Sequence, residues 1–360
     1  MYSLTMNNLS SHGNKILNDF NPFKNFKLEN YKYAQLHKDH TSENFSDSSY
    51  DYNELLKISH NLQKTDFEET DLSSKVDKWN FNSVDSYFRV SSLSSRSSLT
   101  LNLDSFSQEV LLVDVNHFNE NISFTKNSSK NQTLILITSN ISNPEPRSVF
   151  FDLAENSNLE ILQLALSNNR SFIYFEIDQS DFSKMNFITF QSNNNHIRNE
   201  YYASLGEKCE LNLLGLNFKN NFINDNFSYI QHLKPSTASN EIFKSIVDNG
   251  AITNFQGKIY VDPIAQKTDG YQMSRSLLLD SKSKANNKPE LEIYADNVKC
   301  SHGSTVAKLS QNQIYYFKTR GIDEQTAKNI LQKAFLVEII ESLQNKEIKD
   351  FSMKLLDNLI

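Results

Sequence analysis

Two side chains near the end of the sequence have the chemistry of metal ligands, Cys300 and His302. Nowhere else in the chain do a cysteine and a histidine stand two positions apart. In an extended strand, side chains at positions i and i+2 leave the same face, so the thiol and the imidazole would point toward one place. A structural zinc takes four protein ligands and a catalytic zinc takes three. The pair is therefore either structural or half of a site that another chain completes.

The sequence lacks the common motifs of nucleotide-binding and hydrolytic enzymes. It contains no GxxxxGK[ST] or GxGxxG loop, and its eight glycines are scattered singly, so it encodes no cradle for nucleotide phosphates. It also lacks a GxSxG elbow and an HExxH helix. A glycosidase pair of carboxylates is defined in space, so the sequence leaves that alternative open. We predict a protein that is not an enzyme.

Composition excludes further classes of function. The formal net charge of −7 argues against a nucleic-acid-binding protein, which normally presents a basic face. Two cysteines among 360 residues give no disulfide framework, which fits a reducing compartment. No apolar run approaches the roughly 18 residues that span a bilayer, and the N-terminus lacks the pattern of a secretory signal. We expect a soluble intracellular protein without a membrane partner.

The elements that must position Cys300 and His302 are short strands. Between about 99 and 261, apolar or alternating runs of strand length follow one another at roughly ten to fourteen residues, the cadence of an all-β domain. Asn-, Ser- and Asp-rich segments such as 192–195 and 217–226 read as the turns between them. The runs are 110–115, 134–138, 149–153, 159–166, 172–177, 185–190, 201–204, 210–218, 227–231, 242–247 and 255–261.

This cadence fits either a β-sandwich or a solenoid. Even spacing and a lack of hairpin signals favour the solenoid, in which each strand pairs with the equivalent strand one coil later. The dipeptide Asn249-Gly250 resembles a hairpin turn and argues locally against it.

Helices are predicted at the two ends of the chain. A short one is expected at 52–63, followed by a Ser-rich loop at 91–98. Near the C-terminus, Gly321 and Asp323 end a preceding strand and begin a helix, which a second helix at 348–359 follows. The first of these C-terminal helices is apolar on most sides, so it either caps the end of the β-domain or also docks another protein.

Four motifs in the C-terminal third carry a resemblance to a known family. They are AQKTDGYQ (265–272), LLLD (277–280), KPELEIYADNVKCSHGSTV (288–306) and YYFKTRGI (315–322). In this order they closely resemble the SufD proteins, which belong to the SufB/SufD family of scaffold subunits in SUF iron–sulfur cluster assembly. The aromatic segment FKLENYKYAQL (26–36) is similar to the segment that leads into the core of those proteins, with Ala34 in place of the usual threonine.

The resemblance implies a fold and a domain organisation. The family has a right-handed parallel β-helix between helical ends, so we expect an all-β core at 99–320. An N-terminal helical or irregular region at 1–98 and a C-terminal helical region at 321–360 would flank this core.

The resemblance also implies a function. This chain would be a non-catalytic scaffold that pairs with a SufB-like paralogue by edge-strand pairing near 260–310. His302, as the principal ligand or a proton-handling group, and Cys300, as an auxiliary ligand, would serve a site for iron or a transient iron–sulfur cluster at the shared interface, where Gly303 lets another backbone approach. The C-terminal helices would bind a SufC-like ATPase through a surface that includes Ala334, Phe335 and Glu338.

The chain would have no nucleotide site of its own, and Arg198 and Lys267 would support the interface or the core. It would work in the cytoplasm, or in the plastid stroma of a plastid-bearing organism. Two alternatives stay open. One is the SufB-like paralogue itself, although such chains normally carry additional N-terminal cysteines and this one has none before Cys209. The other is a polysaccharide-active β-helix enzyme.

Overall fold

The computed structural model describes residues 52–70, 98–138, 147–167, 171–193, 196–220 and 223–360. The aromatic segment at 26–36 and most of the Ser-rich loop at 91–98 lie outside the described residues, as does most of the predicted N-terminal region.

The described residues form two sheets and four α-helices. The helices are α1 (Tyr52–Ile58), α2 (Gln311–Thr319), α3 (Glu324–Glu341) and α4 (Lys346–Leu359). The strands are β1 (His60–Asn61), β2 (Glu68–Thr70), β3 (Ser98–Asn102), β4 (Val110–Asp114), β5 (Asn121–Lys126), β6 (Thr133–Ile137), β7 (Arg147–Leu153), β8 (Asn158–Ser167), β9 (Ser171–Gln179), β10 (Lys184–Asn193), β11 (His196–Leu205), β12 (Glu210–Asn220), β13 (Ile223–His232), β14 (Ala238–Val247), β15 (Ile252–Val261), β16 (Asp269–Leu278), β17 (Lys284–Ile293) and β18 (Lys299–Lys308).

Strands alternate between the two sheets along the chain. Sheet A has the order β1-β4-β6-β8-β10-β12-β14-β16-β18, and sheet B has the order β17-β15-β13-β11-β9-β7-β5-β3-β2. All pairs are parallel except β2 with β3. Lys184 pairs with both Asn158 and Glu210, so one coil takes 26 residues at this place. The predicted parallel β-solenoid is confirmed.

The dipeptide Asn249-Gly250 forms a corner of the solenoid and not a hairpin. Both residues have positive φ, 57° and 78°. They lie between β14 of sheet A and β15 of sheet B, so the left-handed pair turns the chain toward the facing sheet. The local signal against a solenoid was therefore wrong.

A second column of corners uses left-handed residues other than glycine. Each donates its backbone N–H to a carbonyl of the following coil, which compensates for the strain of positive φ. These pairs are Asn156 to Asp181, Phe182 to Glu207, Lys208 to Pro235, Ser236 to Gln266 and Lys267 to Asn297. Repeated hydrogen bonding explains how a chain with few glycines turns so often.

The Asn-rich segment 217–226 is largely strand, so its assignment as a turn was wrong. Asn217, Asn224 and Asn226 are buried, and their side-chain amides bond to neighbouring side chains. Asn217 donates to Ser245 Oγ (2.9 Å), and Asn226 donates to Asn224 Oδ1 (2.6 Å). Buried amides that bond to neighbouring side chains are compatible with a solenoid interior.

One hydrophobic core lies between the sheets and a second lies between sheet A and the C-terminal helices. In the first, aromatic rings stack in pairs, with centroids 5.5 Å apart for Phe124 and Phe151 and 5.2 Å apart for Phe175 and Tyr201. In the second, apolar residues of α3 and α4 pack on the outer face of sheet A. The helices thus cover the side of the solenoid, and the expectation that they cap its end was wrong.

Two of the helix predictions need correction, and one is confirmed. Strand was expected before Gly321, but α2 occupies that place because Ser310 begins a helix by accepting from the Gln313 N–H (3.4 Å). Helix α1 ends at Ile58, short of 63, because His60 pairs with Leu111 of β4. Asp323 caps α3 as predicted. None of the helices in the described parts of the chain combines enough length and apolar character to cross a membrane.

Candidate functional site

Cys300 and His302 lie on β18, the last strand of sheet A. Among the described residues β18 pairs only with β16, and β17 at the same end of sheet B pairs only with β15. Both strands therefore present an unpaired edge. We call this end of the solenoid, formed by β17 and β18, the open end.

The two edge strands differ in composition. Strand β17 carries Pro289, which has no N–H to donate, together with charged residues at 284, 288, 290 and 292. Between Lys299 and Lys308, β18 has no Asp, Glu, Lys or Arg. Charges and proline are the usual means of preventing edge-to-edge pairing, so β17 is protected and the middle of β18 is not.

The two candidate ligands leave β18 on the same face, but their surroundings differ. Cys300 is half-buried against the apolar cluster that includes Ile259 and Ala265, and it is in register with Gly270. A Cβ on Gly270 would lie 3.2 Å from Cys300 Sγ, so the missing side chain makes room for the thiol. His302 is exposed. Its ring makes no hydrogen bond within the part of the chain that the structure describes.

The Cys300 thiol is protonated at neutral pH. Burial raises its pKa, and the charge of Asp269 raises it further, while a backbone hydrogen bond at Gly270 partly offsets both. The thiolate is the form that binds a metal ion. Binding of a metal at Cys300 would therefore release a proton and become weaker at low pH.

The AQKTDG motif builds the corner that holds β18 in place. Lys267 donates its backbone N–H to the Asn297 carbonyl (2.6 Å), and Gln266 Oε1 accepts from the Asn297 N–H (2.9 Å). Thr268 is buried and donates to the Ala265 carbonyl (2.8 Å). The side chain of Lys267 is exposed, so what this residue contributes is its left-handed backbone.

Three residues behind His302 were not predicted from the sequence: Gln272, Glu241 and Gly257. Gln272 is in register with His302 on the adjacent strand, and it donates its amide to Glu241 Oε2 (2.6 Å). Both Gln272 and Glu241 are fully buried, and burial raises the pKa of Glu241 to about 7. A Cβ on Gly257 would lie 2.3 Å from Gln272 Nε2, so the glycine accommodates this side chain. Gly257 lies inside the predicted strand run 255–261, and a glycine within a strand often marks a place where another group approaches closely. This was the sequence signal that could have indicated these residues.

Other predicted residues do not join the site. Within the described residues, the close neighbour of Gly303 is the side chain of Met273, whose Cε would lie 2.9 Å from an added Cβ, and the approach of a partner backbone stays a prediction. Arg198 is buried on β11, several strands away, where it donates to Glu200 (2.6 Å). His232, a histidine that was not predicted as a ligand, is a core residue with Thr237 and Ser239 at its two ring nitrogens. Burial lowers the pKa of His232 to about 4.

Of the three residues assigned to the ATPase-docking surface, two contact the solenoid. The half-buried Phe335 ring lies 5.4 Å from Lys244 Nζ, and Glu338 forms an ion pair with the same buried lysine. Ala334 is exposed, and so is most of the Glu338 side chain. The docking role of these residues stays a prediction.

The donor set fits iron but is incomplete. Thiolate and imidazole are both known ligands of iron–sulfur clusters. No group of three or more His, Cys, Asp and Glu residues in the described ranges converges as a metal site. Two donors at an unpaired sheet edge are what the described part of the chain offers at this place.

Comparison with known proteins decides the family. The family model for the SUF system FeS cluster assembly SufBD core domain matches residues 118–335, which include β18 and most of the solenoid. The chain belongs to the SufBD family. This membership confirms the predicted family and favours iron–sulfur cluster assembly over the polysaccharide-active alternative.

Several relatives show similarity over part of their length. SufD of Escherichia coli is 32% identical over 204 residues, 55% of this chain and 48% of that protein. The SufBD family protein slr0076 of Synechocystis is 41% identical over 121 residues, 34% of this chain and 27% of that protein. The chloroplastic protein ABCI7 of Arabidopsis thaliana is 43% identical over 117 residues, 32% of this chain and 25% of that protein. The matches thus span about half or less of these relatives.

Proposed function

We propose that this chain is a SufD-like, non-catalytic scaffold of SUF iron–sulfur cluster assembly. It pairs with a SufB-like paralogue through the open end and binds a SufC-like ATPase through its C-terminal helices. Iron or a nascent cluster is the cargo and is held at the interface of the paralogues. The complex works in the cytoplasm, or in the plastid stroma where there is one, and the chloroplastic relative from Arabidopsis supports the second location.

The observation that carries this proposal is the coincidence of an unprotected strand edge with an incomplete set of metal donors. A solenoid end needs a cap, and α3 and α4 lie on the side of sheet A instead. Strand addition by a partner would satisfy the free backbone groups of β18 and cover the polar interior of the last coil. The same contact would bring partner donors to Cys300 and His302.

Splitting the ligands between chains makes cluster formation depend on assembly. His302 supplies the principal nitrogen donor, and Cys300 supplies a thiolate once its proton has left. Because the thiol is half-buried at the end of the solenoid, pairing of the paralogues would exclude water from it. Separation of the paralogues would expose the site and release the cargo.

The helical region offers a surface for the ATPase. Tyr315 and Tyr316 of α2 are 70% and 56% exposed, and Ala334 is exposed on α3. Large exposed aromatic side chains are frequent at protein interfaces. The chain encodes no phosphate-binding loop, so hydrolysis belongs to the partner.

The test is substitution of His302 in the assembled complex. The chain is co-expressed with SufB-like and SufC-like partners, purified by affinity under anaerobic conditions, and analysed for iron and acid-labile sulfide. We expect His302→Ala to leave assembly intact and to lower iron and sulfide content several-fold. The control is His117→Ala, because His117 is a largely exposed histidine distant in sequence from β18. Wild-type content in an intact His302→Ala complex would remove His302 from the mechanism.

The same experiment separates this proposal from the remaining alternative. A SufD-like chain should require a SufB-like partner for stable recovery of the complex. If the chain instead assembles with a SufD-like protein and the ATPase, it is the SufB-like paralogue.

A further inference from the structure

Polar side chains line the interior of the solenoid. Farther back, many of them bond to one another, although some acceptors there, such as Gln179 Oε1 and Asn217 Oδ1, have no partner among the described residues. Gln163 Oε1, for example, accepts from Asn199 (3.1 Å), and Gln191 Nε2 donates to Asn226 (2.9 Å). In the last coils, Gln272 Oε1 is buried and has no hydrogen-bond partner among the described residues. An unsatisfied buried acceptor costs about 1–3 kcal/mol, so this arrangement calls for an explanation.

The orientation of the Gln272 amide is fixed by two contacts. Its Nε2 donates to Glu241 Oε2 (2.6 Å), which leaves Oε1 as the free end of the amide. Gly257 leaves space for Nε2, because a Cβ at this position would lie only 2.3 Å from that atom. A carboxyl group on the adjacent strand β14 of sheet A and a glycine on β15 of the facing sheet B thus hold one carbonyl oxygen in a set position.

His302 is the next residue in the same row. Glu241, Gln272 and His302 are successive register partners on β14, β16 and β18, so their side chains leave sheet A on the same face. A histidine that binds a metal through one ring nitrogen commonly donates the N–H of the other to a carbonyl or carboxylate oxygen, which fixes the tautomer and the ring orientation. Gln272 Oε1 is a carbonyl oxygen of this kind beside His302.

We propose that Gln272 is a positioning residue for His302: its side-chain carbonyl accepts the N–H of one imidazole nitrogen and leaves the other free to bind iron. Glu241 and Gly257 hold the Gln272 amide for this contact. The inference rests on the proposed function, because it assigns to His302 the role of iron ligand. It adds a residue inside the solenoid that determines how well His302 binds.

The experiment uses Co²⁺ as the probe of the site. The full-length chain, assembled with its SufB-like partner, is titrated anaerobically and followed by the absorption of thiolate-bound Co²⁺. We expect Gln272→Met, which keeps an unbranched side chain, to weaken Co²⁺ binding about 10- to 100-fold. The matched control is Gln191→Met, which removes a buried, interior-facing glutamine of β10 in the same sheet.

Comparison of the two methionine variants separates positioning from stability. Both substitutions should lower the thermal stability of the complex by a comparable amount, whereas only Gln272→Met should weaken Co²⁺ binding. Gly257→Ala provides an independent route, because its Cβ displaces the Gln272 amide without removing it. Wild-type affinity in both Gln272→Met and Gly257→Ala would overturn the inference and assign the free oxygen to bound water. If His302→Ala also binds Co²⁺ with wild-type affinity, the proposed iron site itself is wrong.

Discussion

At the scale of single residues, sequence spacing predicted that the two candidate donors share a face, but it did not predict the residues behind them. The i, i+2 spacing of Cys300 and His302 placed both side chains on one face of a strand, where the structure has them. Glu241 and Gln272 were not predicted. Whether they become neighbours of His302 depends on how many residues each coil contains. That number is 26 between Asn158 and Lys184 but 30 between Asp269 and Lys299, so no fixed period reveals the row.

Glu241 should make stability depend on pH. Burial raises its pKa from 4.5 to about 7, so the folded chain binds a proton that the unfolded chain releases. The contribution of Glu241 to stability is therefore fully present below about pH 4.5. It is lost as pH rises from there through about 7. The full effect of such a shift is on the order of 3 kcal/mol. We expect Glu241→Gln to remove this fall.

The measurement is the free energy of unfolding by denaturant at several pH values between 5 and 8. His232 acts in the opposite direction between about pH 6.5 and 4, because its pKa is lowered to about 4, but it is present in both proteins and cancels. Glu155→Gln, at an exposed carboxylate, serves as the control and should follow the wild type. Parallel pH profiles for wild type and Glu241→Gln would show that Glu241 ionises normally.

At the scale of elements, the strands were predictable because their apolar runs are long and regularly spaced. Many strands of sheet A are apolar on both faces, since one face meets sheet B and the other meets α3 and α4. Helix α2 was missed because Tyr315, Tyr316 and Phe317 have high strand propensity, and a single serine cap decides the outcome. The Asn-rich strands were missed because stacked amides satisfy one another only once the coils are formed.

The junction between α3 and α4 is held to sheet A by Glu160. This buried carboxylate accepts from the backbone N–H groups of Gln344 (2.8 Å) and Asn345 (3.3 Å), and from the side chains of Thr133 (3.0 Å) and Asn186 (2.9 Å). Hydrogen bonds to a charged group contribute about 1.5–3 kcal/mol each to stability in favourable cases. Glu160 is therefore a main anchor of the junction, beside Asn186, whose side chain donates to the Ser342 carbonyl (3.1 Å).

We expect Glu160→Ala to lower the free energy of unfolding by about 2–4 kcal/mol. Hydrogen exchange should show the largest loss of protection in α3 and α4, with the middle strands of the solenoid less affected. Glu155→Ala, which truncates an exposed carboxylate nearby, should change stability by less than about 0.5 kcal/mol. Equal effects of the two substitutions would mean that Glu160 does not hold the helices.

At the scale of the whole molecule, the described chain is covered on one side and unfinished at one end. The helices bury the outer face of sheet A, but nothing in the described ranges covers the edges of β17 and β18. Two donors, an uncharged strand edge and a polar last coil come together at that end. The parallel coils were predictable from strand cadence and family resemblance, whereas the position of the helices on the side was not, because an all-round apolar helix fits either place.

The central claim is that this chain supplies part of an iron site and a second chain completes it. The most direct measurement is an anaerobic titration of Fe²⁺ into the chain alone, the SufB-like partner alone and the assembled complex, with bound iron determined after gel filtration. We predict stoichiometric retention only by the complex, and its loss in the His302→Ala complex. Stoichiometric iron on the isolated chain, or undiminished iron in the substituted complex, would contradict the account.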